Sequence, residues 1–310
     1  MTINVLFAAR PERWSQYEIP LQTAFAEAGL DVALSTQCNP ADVDYIVYAP
    51  NGEVQDFGPF IRTKAVLNLW AGVEDVSPNP TLTQPLTRMV DEGLERGMVE
   101  WVTGHVLRHH LGIDIYLHGQ DGLWRHEIPP LATDRPVTLL GLGALGQACG
   151  VALCRLGFPV TGWSRSLKTI PGMTCVSGAD GLAEALSTAQ IVVLLLPLTP
   201  VTENVLDARA IATLPAGAVI INPGRGPLID DAALLEALDA GHIAHATLDV
   251  FREEPLPPDH RYWSHPKVTV TPHIASETRP DTAARVIAEN IRRSEAGEPL
   301  LYLVDRTLGY

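Results

Sequence analysis

Residues 137–157 read VTLLGLGALGQACGVALCRLG: an apolar run ending on glycine, two further glycines, then small and apolar residues at helical spacing. A lone G-x-G-x-x-G arises often by chance; an apolar strand before it and a helix after it make it specific. Gly141 allows a tight turn, Gly143 lets backbone amides approach a pyrophosphate, and Gly146 lets helix and strand pack closely. The anion then rests on the helix N-terminus, where open N–H groups and the macrodipole favour negative charge. Gly150 continues the small-residue face against the sheet. The stretch therefore predicts an α/β fold with a doubly wound, parallel-sheet Rossmann domain.

About 20 residues beyond such a turn an Asp or Glu usually holds a ribose hydroxyl. Here residues 159–168 read PVTGWSRSLK, with no acid. An acidic side chain would repel a 2′-phosphate, whereas Arg165 between Ser164 and Ser166, with Lys168 a little further on, can hold one through charge-assisted hydrogen bonds. The pattern predicts NADP(H) as the preferred cofactor. NAD(H), bound without its usual carboxylate, is the alternative.

Downstream, strands are expected at 137–141, 159–163, 174–176, 190–196, 218–222, 244–249 and 268–271, with helices between several of them. Asp230 can cap DAALLEALDA, with Gly241 just past its end, and Thr202 can cap ENVLDARAIATL before Pro215. Upstream, the first hundred residues alternate short apolar runs (INVLFAA, DVALS, DYIVYA, AVLNLW, LTRMV) with a helix around 16–28 ending at Gly29. Helical spacing from Gly97 to about His118 predicts one long connecting helix between two lobes. The helix expected over 279–297 and the closing LLYLVDRTLGY then return to the first lobe, making it discontinuous. The expected division is 1–103 with 276–310 as a smaller substrate-binding lid, and 104–275 as the dinucleotide-binding domain.

A chain of 310 residues that is 46% apolar can bury two medium cores. Its formal charge of −14, with no basic run, argues against nucleic-acid or anionic membrane partners. Four cysteines without a C-x-x-C pair fit reduced thiols and a cytoplasmic location. The opening MTINVLFAARPERW lacks a basic segment and reads as a first strand rather than a secretion signal. IVVLLLPL at 191–198 is too short to span a bilayer.

Three charged or titratable residues follow expected strands of the second sheet: Arg225 after VIINPG, Glu254 after TLDVFRE and His273 after VTVTP. In a parallel sheet those ends share one edge, where a nucleotide on the glycine turn also lies. Reduction of a carbonyl requires a proton on oxygen as hydride arrives at carbon. His273 can supply it, Glu254 can fix its tautomer and favour its charged form, and Arg225, between two glycines, can clamp a substrate carboxylate.

Taken together, LLGLGALGQ, WSRS, LLLPLTPVTENV, INPGRGPLIDDAALLEALDAG, LDVFREEPLP, WSHPKVTVTPHIA and VDRTLGY resemble the D-isomer-specific 2-hydroxyacid dehydrogenase family, most nearly its glyoxylate/hydroxypyruvate reductase A group. The resemblance implies a two-lobed molecule with a smaller flavodoxin-like lid domain, an active site in the cleft and a homodimer. It also implies NADPH-dependent reduction of small 2-oxo acids such as glyoxylate and hydroxypyruvate, with Arg225, Glu254 and His273 as catalytic residues. WAGV at 70–73 (Trp70, Ala71, Gly72 and Val73) resembles the loop that binds the substrate carboxylate, beside Arg225 and His273, although Trp70 stands where a small residue is commoner. The implied cofactor contacts are Gly141, Gly143, Ala144, Leu145 and Gly146, then Ser164, Arg165 and Ser166, and along later strand ends Leu196, Pro197, Thr202, Asn222, Pro223, Gly224 and Asp249, the last near the nicotinamide.

Other chemistries find less support. His105 and His109 are spaced like zinc ligands, but Val106 replaces the Glu of H-E-x-x-H, so no metal is expected. Ser164 and Ser166 lack a G-x-S-x-G setting for nucleophilic hydrolysis. Trp14, Trp124 and Trp263 are expected to pack or to line a cleft. Phosphite-type oxidation on the same fold and a non-catalytic NADP-binding sensor or corepressor-like role are the alternatives.

Overall fold

The computed structural model describes residues 2–309. The chain divides into two compact units, one reaching to Leu94 and resuming at Glu277, the other running Glu95–Ser276.

In the first unit, β1 (Ile3–Ala8), β2 (Val32–Ser35), β3 (Tyr45–Tyr48), β4 (Ala65–Asn68) and β5 (Leu86–Thr87) form one parallel sheet, ordered β2-β1-β3-β4-β5. This is the flavodoxin-like order. Every residue of β3 and β4 is buried, as expected of strands covered on both faces. Helix α1 (Pro11–Glu27) starts on a proline, and Gly29 at φ 69° follows its end in a left-handed conformation that favours glycine.

In the second unit the helix expected over 97–118 is two, α2 (Glu92–His110) and α3 (Ile113–His118). Gly112, at φ 63°, adopts a left-handed turn that an α-helix cannot continue through. The division between units falls inside α2, at Leu94/Glu95 rather than 103/104. Met98, Val102 and Val106 explain that placement, since they are buried in the core beneath the second sheet and carry most of α2 with them. The outermost positions of the expected boundaries, 1 and 310, lie outside the described residues.

The second sheet is built from β6 (Val137–Leu140), β7 (Val160–Ser164), β8 (Thr174–Ser177), β9 (Ile191–Leu194), β10 (Ala218–Asn222), β11 (Ile243–Leu248) and β12 (Val268–Val270). Between them run α4 (Ala144–Arg155), α5 (Gly178–Ser187), α6 (Ala208–Thr213) and α7 (Asp231–Asp239). All pairings are parallel and the order is β12-β11-β10-β9-β6-β7-β8. The chain direction across the sheet reverses between β6 and β9, the switch point where nucleotides bind in such sheets.

Asp230 caps α7 as its sequence predicts, accepting from Ala232 N and Ala233 N at 3.0 and 3.1 Å. Thr202 does not cap the next helix upstream. That helix is only α6, capped by Asp207, which accepts from Ala210 N at 2.8 Å. Residues 199–206 instead turn back on themselves, with Thr202 Oγ1 donating to Pro197 O at 2.7 Å and Asn204 at φ 52°.

Helix α8 (Pro280–Glu295) returns to the first unit and buries Ala283, Ala284, Ile287, Ala288 and Ile291 in the core that α1 also covers. The closing segment stays there: Val304 N donates to Leu86 O at 2.8 Å, and Arg306 donates to Ser77 O at 2.9 Å and Asn79 O at 3.0 Å. All four cysteines are free, and burial pushes the Cys149 thiol up to about 12. Among the described residues no helix is long and apolar enough to cross a membrane.

Candidate active site

The three glycines of the first turn do different things. A Cβ on Gly141, at φ 108°, would lie 2.5 Å from Leu195 O, and one on Gly146 would lie 1.9 Å from Gly141 O. Both are required by the protein's own packing. Gly143 is not: a Cβ there meets nothing within 4 Å, so the space in front of it is open to a ligand. Gly143 also stands at the start of α4 without a side-chain cap, leaving the first amides of Ala144, Leu145 and Gly146 available to an anion. The turn itself is braced by Lys168, whose Nζ donates to Leu142 O at 2.6 Å.

At the end of β7, Arg165 and Ser166 are exposed while Ser164 is buried, its Oγ donating to Ser166 O at 2.9 Å. Of the three residues, Arg165 and Ser166 therefore present side chains outward, and Ser164 shapes their turn. Leu196 is buried and Pro197 exposed just beyond β9.

The catalytic candidates converge. β10 ends at Asn222, which is buried and whose Nδ2 donates to Arg225 O at 2.8 Å while its Oδ1 accepts from Gly224 N at 3.1 Å. Asn222 thus folds the Pro223–Gly224 turn that presents Arg225. Gly226 permits this turn to press on the next strand's loop, since a Cβ there would stand 2.0 Å from the carbonyl carbon of Phe251. That loop carries Glu254, whose Oε1 accepts from Phe251 N at 2.9 Å and whose Oε2 lies 2.7 Å from His273 Nδ1.

His273 has φ 53°, a conformation uncommon for a residue with a Cβ and found preferentially at functional sites. Its loop is held by Asp249, which is fully buried at the end of β11. Asp249 Oδ1 accepts from Thr271 Oγ1 at 2.6 Å and Ile274 N at 2.9 Å, and its Oδ2 accepts from Ala275 N at 2.9 Å. The Asp249 carboxylate is occupied by protein donors, so its clearest role here is to fix the loop that carries His273.

The electrostatics follow from this geometry. The hydrogen bond to Glu254 raises the His273 pKa above its ordinary value, against burial and the Arg225 charge. Burial would raise the Glu254 carboxyl, but the bonds from His273 and Phe251 N, with the charges of His273 and Arg225, hold it below the usual range. The pair favours an imidazolium next to a carboxylate, with Nε2 the ring nitrogen left to meet a substrate.

Two residues that shape turns of the candidate site are not apparent from the sequence pattern. Arg252 donates to Ile229 O at 2.7 Å and to Asn204 Oδ1, tying the 199–206 turn to the segment after Arg225. In the first unit Asn68, fully buried at the end of β4, donates from Nδ2 to Trp70 O and Gly72 O, both at 3.0 Å. It shapes the 70–73 turn, in which Trp70 is exposed, Ala71 and Gly72 are half-buried and Val73 is buried.

The α2 histidines are packed individually. His109 Nε2 lies 2.8 Å from Thr247 Oγ1, with burial holding its pKa down to about 3, and His110 stands edge-on to Phe158. His105 lies against Trp101. No cluster of three or more His, Cys, Asp or Glu side chains suited to a metal occurs among the described residues. Trp14 packs on Phe7, whereas Trp124 is 94% exposed, contrary to expectation.

A family model described as D-isomer specific 2-hydroxyacid dehydrogenase, NAD binding domain, matches residues 105–275. A glyoxylate/hydroxypyruvate reductase A from Yersinia enterocolitica is 36% identical, covering 99% of this chain and 100% of the relative. A D-isomer specific 2-hydroxyacid dehydrogenase from Xanthobacter autotrophicus, solved with NADPH and MES, superposes with a TM-score of 0.94 at 40% identity, covering both chains completely. An NADPH-dependent glyoxylate/hydroxypyruvate reductase from Sinorhizobium meliloti, solved with NADP and sulfate, gives a TM-score of 0.88 at 34% identity, covering 100% of this chain and 99% of that one. The chain belongs to the D-isomer specific 2-hydroxyacid dehydrogenase family of NAD(P)-dependent oxidoreductases.

Proposed function

We propose that this protein reduces small 2-oxo acids, glyoxylate and hydroxypyruvate among them, to 2-hydroxy acids with NADPH as the preferred reductant. The observation that carries the reading is the 2.7 Å contact between His273 Nδ1 and Glu254 Oε2, on a loop next to Arg225. The names of the relatives from Yersinia and Sinorhizobium, and the NADPH and NADP in the two solved structures, support the substrate class and the cofactor.

The chain's own residues fit a dinucleotide. The open space at Gly143 and the uncapped start of α4 suit a pyrophosphate, and the exposed Arg165 and Ser166 suit a 2′-phosphate. Leu196, Pro197, Thr202 and the Asn222–Gly224 turn are assigned to the same cofactor, with Asp249 acting through the His273 loop. A bound reduced nicotinamide supplies the hydride. Glu254 holds the His273 proton balance: by accepting at Nδ1 it leaves the Nε2 proton for the carbonyl oxygen, where negative charge develops. Arg225 orients the substrate through its carboxylate, and the 70–73 turn of the first unit is read in its own right as a carboxylate-binding turn.

We also assign a homodimer in the cytoplasm. Leu117, Leu123, Trp124, Ile128 and Leu131 are each at least 65% exposed along one stretch of the second unit, a run of apolar surface that a second copy would cover. No nucleic-acid or membrane partner and no metal enters this reading. It is tested by following NADPH and NADH oxidation against a panel of 2-oxo acids. Turnover with NADPH and glyoxylate or hydroxypyruvate is expected; NADPH binding without turnover of any member would favour a sensor instead.

A further inference from the structure

Among the described residues of the first unit, Arg10, Arg88, Arg279 and Arg285 have no ion pair or side-chain hydrogen bond, and of these Arg88 alone is half-buried rather than exposed. Elsewhere in that unit Arg13 meets Glu277 at 2.7 Å, Arg62 meets Asp44 at 2.7 Å, and Arg306 donates to main-chain carbonyls. Arg88, immediately after β5, is half-buried, and its backbone N–H donates to Tyr302 O at 3.1 Å. Its guanidinium has no ion pair and no hydrogen bond among the described residues, and burial lowers its pKa, with the Tyr302 phenol as the opposing influence. A partly desolvated charge without a counter-ion costs stability, and removing it from the fold would be favourable unless it served a ligand.

Its place identifies the ligand. The register Leu67↔Thr87 sets Arg88 alongside Asn68, whose side chain shapes the 70–73 turn, and Met89 N donates to Trp70 O at 2.9 Å. Tyr302, next to Arg88, is itself held at φ 57° and is 41% exposed. One strand edge thus brings together a turn of backbone donors and a guanidinium with no ion pair among the described residues, whose planar fork matches a carboxylate.

We propose that Arg88 binds the carboxylate common to the 2-oxo acid substrates, together with the 70–73 turn. The proposal rests on reading that turn as a carboxylate site. Steady-state kinetics of the full-length enzyme with NADPH, using glyoxylate, hydroxypyruvate, 2-oxobutyrate and oxaloacetate, test it. Arg88→Gln should raise KM about tenfold or more for all four acids alike, with kcat and the KM for NADPH little changed, as loss of uniform substrate binding requires. Arg88→Lys should recover part of the loss. The Arg88→Gln melting temperature should not fall, because an unpaired charge is removed; a lower melting temperature with unchanged KM values would make Arg88 structural and overturn the proposal. A loss confined to oxaloacetate would place Arg88 on a distal acidic group and equally overturn it. If the wild-type enzyme turns over none of these acids, the functional reading fails, and Arg88 is judged by oxamate binding in the presence of NADPH. Binding lost in Arg88→Gln supports the carboxylate role, and equal binding excludes it.

Discussion

The main-chain carbonyl of Asp249 accepts the N–H of His273 at 2.8 Å, while the Asp249 carboxylate collects Thr271 Oγ1, Ile274 N and Ala275 N on either side of that histidine. A fully buried carboxylate just past the end of β11 therefore fixes the unusual backbone of His273, the proposed proton donor. Asp249→Asn keeps the volume but gives up part of the acceptor set. It should lower stability by about 1–3 kcal/mol, the usual cost of an unsatisfied buried partner, and reduce kcat about tenfold or more. Denaturant unfolding and steady-state kinetics check both; a variant as stable and as active as wild type would remove Asp249 from this role.

The Glu254 hydrogen bond raises the His273 pKa, and His273 must be protonated to act as an acid. Reduction should thus be sustained at low pH and lost as pH rises through that raised pKa. Glu254→Gln should move the alkaline limb of kcat/KM toward lower pH and leave NADPH affinity unchanged. The same linkage makes the ion pair stabilising between the lowered Glu254 pKa and the raised His273 pKa, and lost outside that window. An alkaline limb that stays in place in Glu254→Gln would separate His273 protonation from Glu254.

Gly143 and Gly146 should respond in opposite ways to alanine. At Gly146 the new Cβ would stand 1.9 Å from Gly141 O, so Gly146→Ala must displace backbone and should lose about 2 kcal/mol or more of stability. At Gly143 nothing lies within 4 Å, so Gly143→Ala should change stability by less than about 1 kcal/mol while weakening NADPH binding. Melting curves with and without NADPH check the contrast. A Gly143→Ala protein with normal cofactor affinity would mean that no pyrophosphate approaches there.

The parts of this fold that depend on local pattern are legible in the sequence. Strand β6, the glycine turn and α4 are written within 21 residues, and Asp230 with Gly241 marks both ends of α7. What was hidden depends on pairings distant in sequence. Arg252 reaches back to Asn204 and Ile229, and Asn68 acts through two carbonyls of a turn whose shape no motif specifies. The apparent continuity of α2 and α3 misled because apolar spacing survives across Gly112, while the left-handed backbone there breaks the hydrogen-bond ladder. Thr202 looked like a helix cap because its hydroxyl is well placed for one, but the residues after it are drawn into the turn that Arg252 ties down.

Arg165 is the exposed cation at the end of β7, where an acidic residue would select against a 2′-phosphate. Arg165→Asp should lower the ratio of kcat/KM for NADPH to that for NADH by about tenfold or more, chiefly through the KM for NADPH. The two cofactors titrated at fixed glyoxylate give the ratio directly, and an unaltered ratio would leave cofactor choice to other residues.

The central role rests on His273 Nε2 as the proton donor, and it is tested most directly by single-turnover reduction of glyoxylate by His273→Ala with NADPH prebound. Nucleotide affinity should be that of wild type, while the rate of NADPH oxidation should fall by about 10²–10⁴-fold, the span of general acid catalysis. A rate within a few-fold of wild type would contradict the assignment of His273 as the acid.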